Sequence, residues 1–173
     1  MAKYLELRRH TDADGDVLTP EGVQAALEIG SRLAGGYDLA VSTGAQRATQ
    51  TLVCFLAGLG EEVRQGVVVE LGLRSHVEDR WRAAYQKAGS GDLASLREAD
   101  PELVEEDSAV LGAALRRVFD ALPDGGRALV VGHSPTNEAA VLGLTEDIVE
   151  PISKGEGVLV VLENGVVRVE KLR

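Results

Sequence analysis

Short apolar runs that alternate with stretches of helical period constrain this chain more than any other feature of it. Residues 3–8 (KYLELR), 38–42 (DLAVS), 67–69 (VVV) and 127–131 (RALVV) read as strands. After the first of them, Thr19-Pro20 supplies a hydroxyl cap and then a residue whose missing N–H costs nothing at the first helical position. Val23, Ala26, Leu27, Gly30 and Leu33 then recur at helical spacing until Gly35-Gly36. Residues 45–59 form a second helical segment, with Ala48, Leu52, Phe55 and Leu59 on one face. Residues 75–122 read as helices interrupted at GSGD (89–92) and at Pro101, with 102–122 the longest. The end of the chain is two apolar runs joined by Asn164-Gly165, a strong hairpin signal. This order predicts an α/β fold: a three-layer α/β/α sandwich, its sheet mainly parallel with an antiparallel edge hairpin, in one domain over residues 1–173.

Composition removes several classes of function. Acidic residues outnumber basic ones 28 to 18, a net charge of −10, which argues against a sequence-independent grip on nucleic acid or on an anionic membrane. Any anion must then be held by a local positive pocket. The one cysteine, Cys54, lies in an apolar helical pattern, so neither a disulfide framework nor a cysteine metal site is expected. MAKYLEL lacks the apolar core of a secretory signal, and no run approaches the ~20 apolar residues of a membrane span. The expectation is a cytoplasmic protein; oligomeric state is not legible.

Ligands of open α/β sheets bind beyond the carboxyl ends of strands. Three such places carry chemistry here. The first strand delivers Arg9-His10, the second is followed by Arg47 on the first turn of a helix, and RALVV delivers His133. Arginine offers a planar fork of donors that matches phosphate oxygens, and neutral imidazole is a nucleophile near pH 7. Two imidazoles and two guanidinium groups on one rim suit phosphoryl transfer, which asks of a protein mainly alignment and charge stabilisation.

These residues resemble the motifs of the histidine phosphatase superfamily, the phosphoglycerate-mutase-like proteins, over most of the chain. Arg9-His10-Thr11 is similar to the family's Arg-His-Gly signature, and VVGHSP (130–135) to the segment around its second histidine. STGAQRATQT (42–51) is similar to Ser-x-x-x-Arg-Ala-x-Gln-Thr, with one additional residue between Ser42 and Arg47. LTPEGVQAA resembles the opening of the family's first helix. The resemblance implies a phosphatase in which His10 attacks phosphorus and carries a phosphohistidine. Arg9, Arg47 and His133 would bind the non-bridging oxygens, with Ser134 beside them, and water would release phosphate. It implies no metal and no cofactor, and a partner that is a small phosphorylated substrate or a phosphoprotein.

The sequence departs from the family pattern twice. Thr11 stands where the glycine is usual, and its hydroxyl either donates to phosphate or narrows the pocket. Ser75 stands where many relatives carry the acid that protonates the leaving oxygen. Either Glu78 or Glu70 reaches in instead, or the leaving group needs little help, as in a phosphohistidine or an acyl phosphate. The small bacterial phosphohistidine phosphatases also lack that acid and carry a Gly-His-Asn-Pro segment, which Gly132-His133-Ser134-Pro135 resembles. A helical insertion over the rim, residues 74–106, would read the leaving group through Arg74, His76, Arg80, Arg82 and Tyr85.

DADGD (12–16) invites other readings. An EF-hand loop starting at Asp12 has Val17 and Val23 where glycine and glutamate are required. An aspartyl-phosphate motif should directly follow an apolar strand, whereas Arg8 to Thr11 intervene. The segment is therefore expected to be an acidic, mobile lip. The main alternative is a weakly active or inactive phospholigand-binding module of the same fold, for which Thr11 and Ser75 speak. Mutase activity fits less well, because a mutase needs the acid that Ser75 lacks.

Overall fold

The computed structural model describes residues 1–172. Along the chain run β1 (Lys3–Arg9), the short strands β2 (Ala13–Asp14) and β3 (Val17–Leu18), α1 (Pro20–Gly30), β4 (Leu39–Ser42), α2 (Gln46–Leu59) and β5 (Val67–Val69). A 3₁₀ turn (Leu71–Leu73), α3 (Glu78–Ala88), α4 (Leu93–Ala99), α5 (Pro101–Ala121), β6 (Arg127–Gly132), α6 (Thr136–Thr145), β7 (Gly157–Glu163) and β8 (Val166–Lys171) complete it. Six strands form one sheet in the order β5-β4-β6-β1-β7-β8. β1, β4, β5 and β6 are parallel, and β7 and β8 form the antiparallel edge.

The pleat of β1 sorts its side chains onto two faces. Leu5 and Leu7 enter the larger core with Leu111, Leu115 and Phe119 of α5 and Ala139 and Val141 of α6. Ala40, Leu129 and Val131 of the sheet meet Ala26 of α1 and Leu52 and Phe55 of α2 on the other face. The three layers expected from the sequence are thus present. Glu6, also directed to the α1–α2 side, is a carboxylate only 2 % exposed. Its oxygens accept from Arg8 Nε at 2.6 Å and from the Tyr37 hydroxyl at 2.9 Å, as a buried charge requires.

Two local expectations change. The apolar period past Pro20 continues to Leu33, but α1 stops at Gly30: Arg32 and Leu33 donate to the carbonyls of Ile29 and Gly30, which tightens the chain into a turn. Residues 12–18 are not a loose lip. They form the β2–β3 hairpin, turned through Gly15 at φ 62°, with ion pairs at its start, Asp12 to Lys154, and at its turn, Asp16 to Arg47.

α5 and α6 approach each other through glycine. A Cβ on Gly143 would stand 1.8 Å from the Ser108 carbonyl oxygen, so the backbones pack with no room for a methyl group. Gly143→Ala is expected to destabilise the fold by about 2 kcal/mol or more, since overpacking must push a helix aside. Thermal denaturation should show a Tm lower by about 5 °C.

Candidate active site

β1 and β6 are neighbours, yet the chain leaves β1 for α1 on one face of the sheet and leaves β6 for α6 on the other. A crevice opens at such a switch point, at the carboxyl ends of the strands. His10 and His133 follow those two strands directly. The His10 N–H donates to the Gly132 carbonyl at 3.0 Å, and Asn137 Nδ2 donates to the Arg8 carbonyl at 3.1 Å. Gly132 is required there, because a Cβ would lie 2.3 Å from Asn137 Oδ1. The two imidazole rings meet edge to face, 5.4 Å between centroids.

His10 is oriented by its own backbone. Nδ1 lies 2.7 Å from the Thr11 carbonyl oxygen, which can only accept, so the ring proton sits on Nδ1 and the Nε2 lone pair is free. Burial lowers the His10 pKa, and the charges of Arg47, Arg9 and Lys154 lower it further against the opposing effect of the Thr11 bond. The ring is neutral and nucleophilic at pH 7.

His133 is fixed from the other side. The Thr43 hydroxyl lies 2.8 Å from His133 Nε2 and accepts from the Ala45 N–H at 3.4 Å. The hydroxyl, with one proton and two acceptor sites, can pair with Nε2 in either tautomer of the ring, while Nδ1 is a buried atom without a partner among the described residues. Burial, with the charges of Arg47 and Arg74, pushes the His133 pKa down to about 3, so this ring too is neutral. Arg9 presents a second buried atom without a partner, Nε, while its Nη1 donates to the Ile152 carbonyl at 3.1 Å.

Arg47 stands on the first turn of α2 with Nη1 2.8 Å from Asp16 Oδ1. The same carboxylate accepts from the backbone N–H groups of Gln46 and Arg47, both at 3.2 Å, and so caps the helix end. Arg47 and His133 line one cavity of about 140 Å³ together with Ser75, Glu78, Trp81, Ser134, Pro135 and Thr136. It adjoins an open cleft of about 530 Å³, which shares Ser75 and Glu78 and adds Arg74, His76 and Arg80.

The structure thus draws together His10, Arg9, Arg47 and His133, and puts Glu78, Arg74 and His76 along the adjoining cleft. Glu78 is tied to Arg74, with Oε1 3.0 Å from Nε. Glu70 accepts from Arg117 Nε at 2.6 Å and lines neither the cavity nor the cleft. Thr11 does not turn its hydroxyl toward phosphate: Oγ1 is buried, donates to the Gly22 carbonyl at 2.8 Å, and packs the hairpin against α1. The Ser134 hydroxyl donates to the buried Glu138 and has no proton left for a phosphate oxygen, although Ser134 still lines the cavity.

Sequence reasoning missed Thr43, Asp16, Lys154 and Glu138. Thr43 had a usable signal, since it directly follows the strand that precedes Arg47. Lys154 reaches Asp12 from 142 residues away, a pairing no local pattern announces.

No family model matches the chain, and no curated protein matches it in sequence. Solved structures do. A phosphoglycerate mutase from Bacillus anthracis str. Sterne superposes with a TM-score of 0.73 at 22 % identity, covering 99 % of this chain and 92 % of that one. YhfR of Bacillus stearothermophilus gives 0.74 at 16 % identity, covering 99 % and 98 %. A phosphoserine phosphatase mutant from Entamoeba histolytica, in complex with phosphoserine, gives 0.63 at 18 % identity, covering 98 % and 95 %. The fold is phosphoglycerate-mutase-like. Among the described residues no helix is long and apolar enough to cross a membrane.

The state of His133 has a measurable consequence for stability. An unfolded histidine takes up a proton near pH 6.5, whereas the folded one refuses it until about pH 3. Between those values the unfolded chain binds more protons, so this residue's contribution is present above pH 6.5 and is lost as pH falls. His133→Asn should flatten the decline in unfolding free energy between pH 7 and pH 4.5, measured by urea denaturation.

Proposed function

We propose that this protein is a phosphatase that works through a covalent phospho-His10 intermediate. One observation carries the reading: a neutral His10 with Nε2 free beside a second neutral imidazole, with the charges of Arg9 and Arg47 acting at His10 and that of Arg47 at His133. In the first step the Nε2 lone pair forms a bond to phosphorus in line with the departing oxygen or nitrogen, which leaves with the electrons of the broken bond. Charge grows on the non-bridging oxygens, and Arg47, the Arg9 Nε–H and His133, in the tautomer that carries its proton on Nδ1, are the donors that stabilise it. In the second step water displaces His10 and free phosphate leaves.

The rim favours a substrate with a good leaving group, such as a phosphohistidine or an acyl phosphate. Ser75 holds the acid's usual place and Glu78 is paired with Arg74, so neither is poised to protonate a poor one. α3 and α4, within the 74–106 insertion, supply the wall that the leaving group meets.

Purified protein should hydrolyse 4-nitrophenyl phosphate, and His10→Ala should lose that activity. Arg47→Ala should lower kcat/KM by about 10²–10³-fold, the effect of removing a preorganised donor to transition-state charge. EDTA should leave turnover intact, while vanadate should inhibit it. Full activity in His10→Ala, or its abolition by EDTA in the wild type, would contradict this reading.

A further inference from the structure

Behind the wall of the phosphate cavity lies a buried pair that the reaction described so far does not use. Ser75 and Asp107 are each 7 % exposed. Ser75 Oγ donates to Asp107 Oδ2 at 2.7 Å, and Trp81 Nε1–H donates to the same oxygen at 2.6 Å. Two short bonds to one oxygen compensate a carboxylate set among core positions of α5, which is costly to bury otherwise. Ser75 Oγ also accepts from the Val77 N–H at 3.1 Å.

A hydroxyl has one proton to give and two sites to accept. In Ser75 the proton is committed to Asp107 and one acceptor site to Val77, so one acceptor site remains. That residue lines both the 140 Å³ cavity, with Arg47 and His133, and the cleft beside it. A group wired in this way can receive a proton from the cavity but has none to release into it. It is therefore unsuited to protonating a leaving group and suited to taking a proton from an attacking water.

We propose that Ser75 and Asp107 form a proton relay for the water that hydrolyses phospho-His10. The relay rests on the phosphohistidine reading above and deepens it. The water oxygen forms its bond to phosphorus as the bond from phosphorus to Nε2 breaks, and the electron pair of that bond returns to His10. The water's proton passes to Ser75 Oγ while the Ser75 proton passes to Asp107 Oδ2, leaving Asp107 as a neutral acid until solvent reclaims the proton. The formation of phospho-His10 draws nothing from this pair, which confines efficient substrates to those whose leaving group departs without a proton.

Asp107 could equally be a pin that holds α3 through Trp81, and a kinetic split separates the two roles. Rapid-mixing experiments with 4-nitrophenyl phosphate read the two steps independently: the nitrophenolate burst reports phosphorylation of His10, and decay of the acid-labile phosphoenzyme reports hydrolysis. Asp107→Asn keeps an acceptor for Ser75 and Trp81 but is no base. It should leave the burst rate within about threefold of wild type and slow phosphoenzyme decay by about 10²-fold, the size of a general-base contribution. Ser75→Ala should show the same split, and hydroxylamine, a nucleophile that needs no base, should restore turnover in both. Unchanged decay in Asp107→Asn overturns the relay while the burst still supports phospho-His10. A parallel fall of both steps with a lower Tm assigns Asp107 to the pin and overturns it equally. No phosphoenzyme in the wild type would remove the phosphohistidine reading itself, and the relay with it.

Discussion

The backbone hydrogen bond from His10 to the Gly132 carbonyl, 3.0 Å, joins the ends of the two strands on which the site is built. It extends the parallel pairing of β1 and β6 by one residue past Arg9. The chain turns to opposite faces immediately afterwards, so a crevice must open where the ladder stops. The imidazoles stand on either side of it because each follows its strand end directly. Helices α1 and α6 then hold the walls apart, and the Asn137 bond to Arg8 keeps α6 in register with β1.

Electrostatics in the crevice follow from that placement. The chain carries a net charge of −10, yet the groups around His10 are Arg9, Arg47 and Lys154. Burial holds both imidazoles neutral, helped by Arg9, Arg47 and Lys154 at His10 and by Arg47 and Arg74 at His133. Neighbouring carboxylates are spoken for: Asp16 by Arg47 and the α2 N-terminus, Asp12 by Lys154, Glu78 by Arg74. Arg9 Nε and His133 Nδ1 are buried near the crevice without partners, and a ligand that bonds to them would satisfy both.

Much of this was legible before any coordinates. Thr19 does cap α1, accepting from the Gly22 N–H, with Pro20 at its first position. Asn164-Gly165 does join β7 to β8, both residues at positive φ. Arg9, His10, Arg47 and His133 could be placed because each ends a strand or follows one at short range, where period and position are local properties. Thr11 misled because its register decides its direction. One residue past His10, it points into the junction with α1 and finds the Gly22 carbonyl, which no spacing rule foretells. The acidic run 12–16 looked like a mobile lip because its two anchors, Arg47 and Lys154, lie 31 and 142 residues away.

The sequence by itself determined the order of elements and the chemistry delivered at each strand end, because hydrophobic period, caps and turns act over a few residues. Tertiary structure alone decided which polar groups find one another. The tautomer of His10, the capture of Asp16 by Arg47, the pairing of Glu70 with Arg117 and that of Ser75 with Asp107 are all of this kind. Each depends on burial and on hydrogen-bond geometry at the scale of an ångström, and the partners come from elements that pack together only once the three layers have formed.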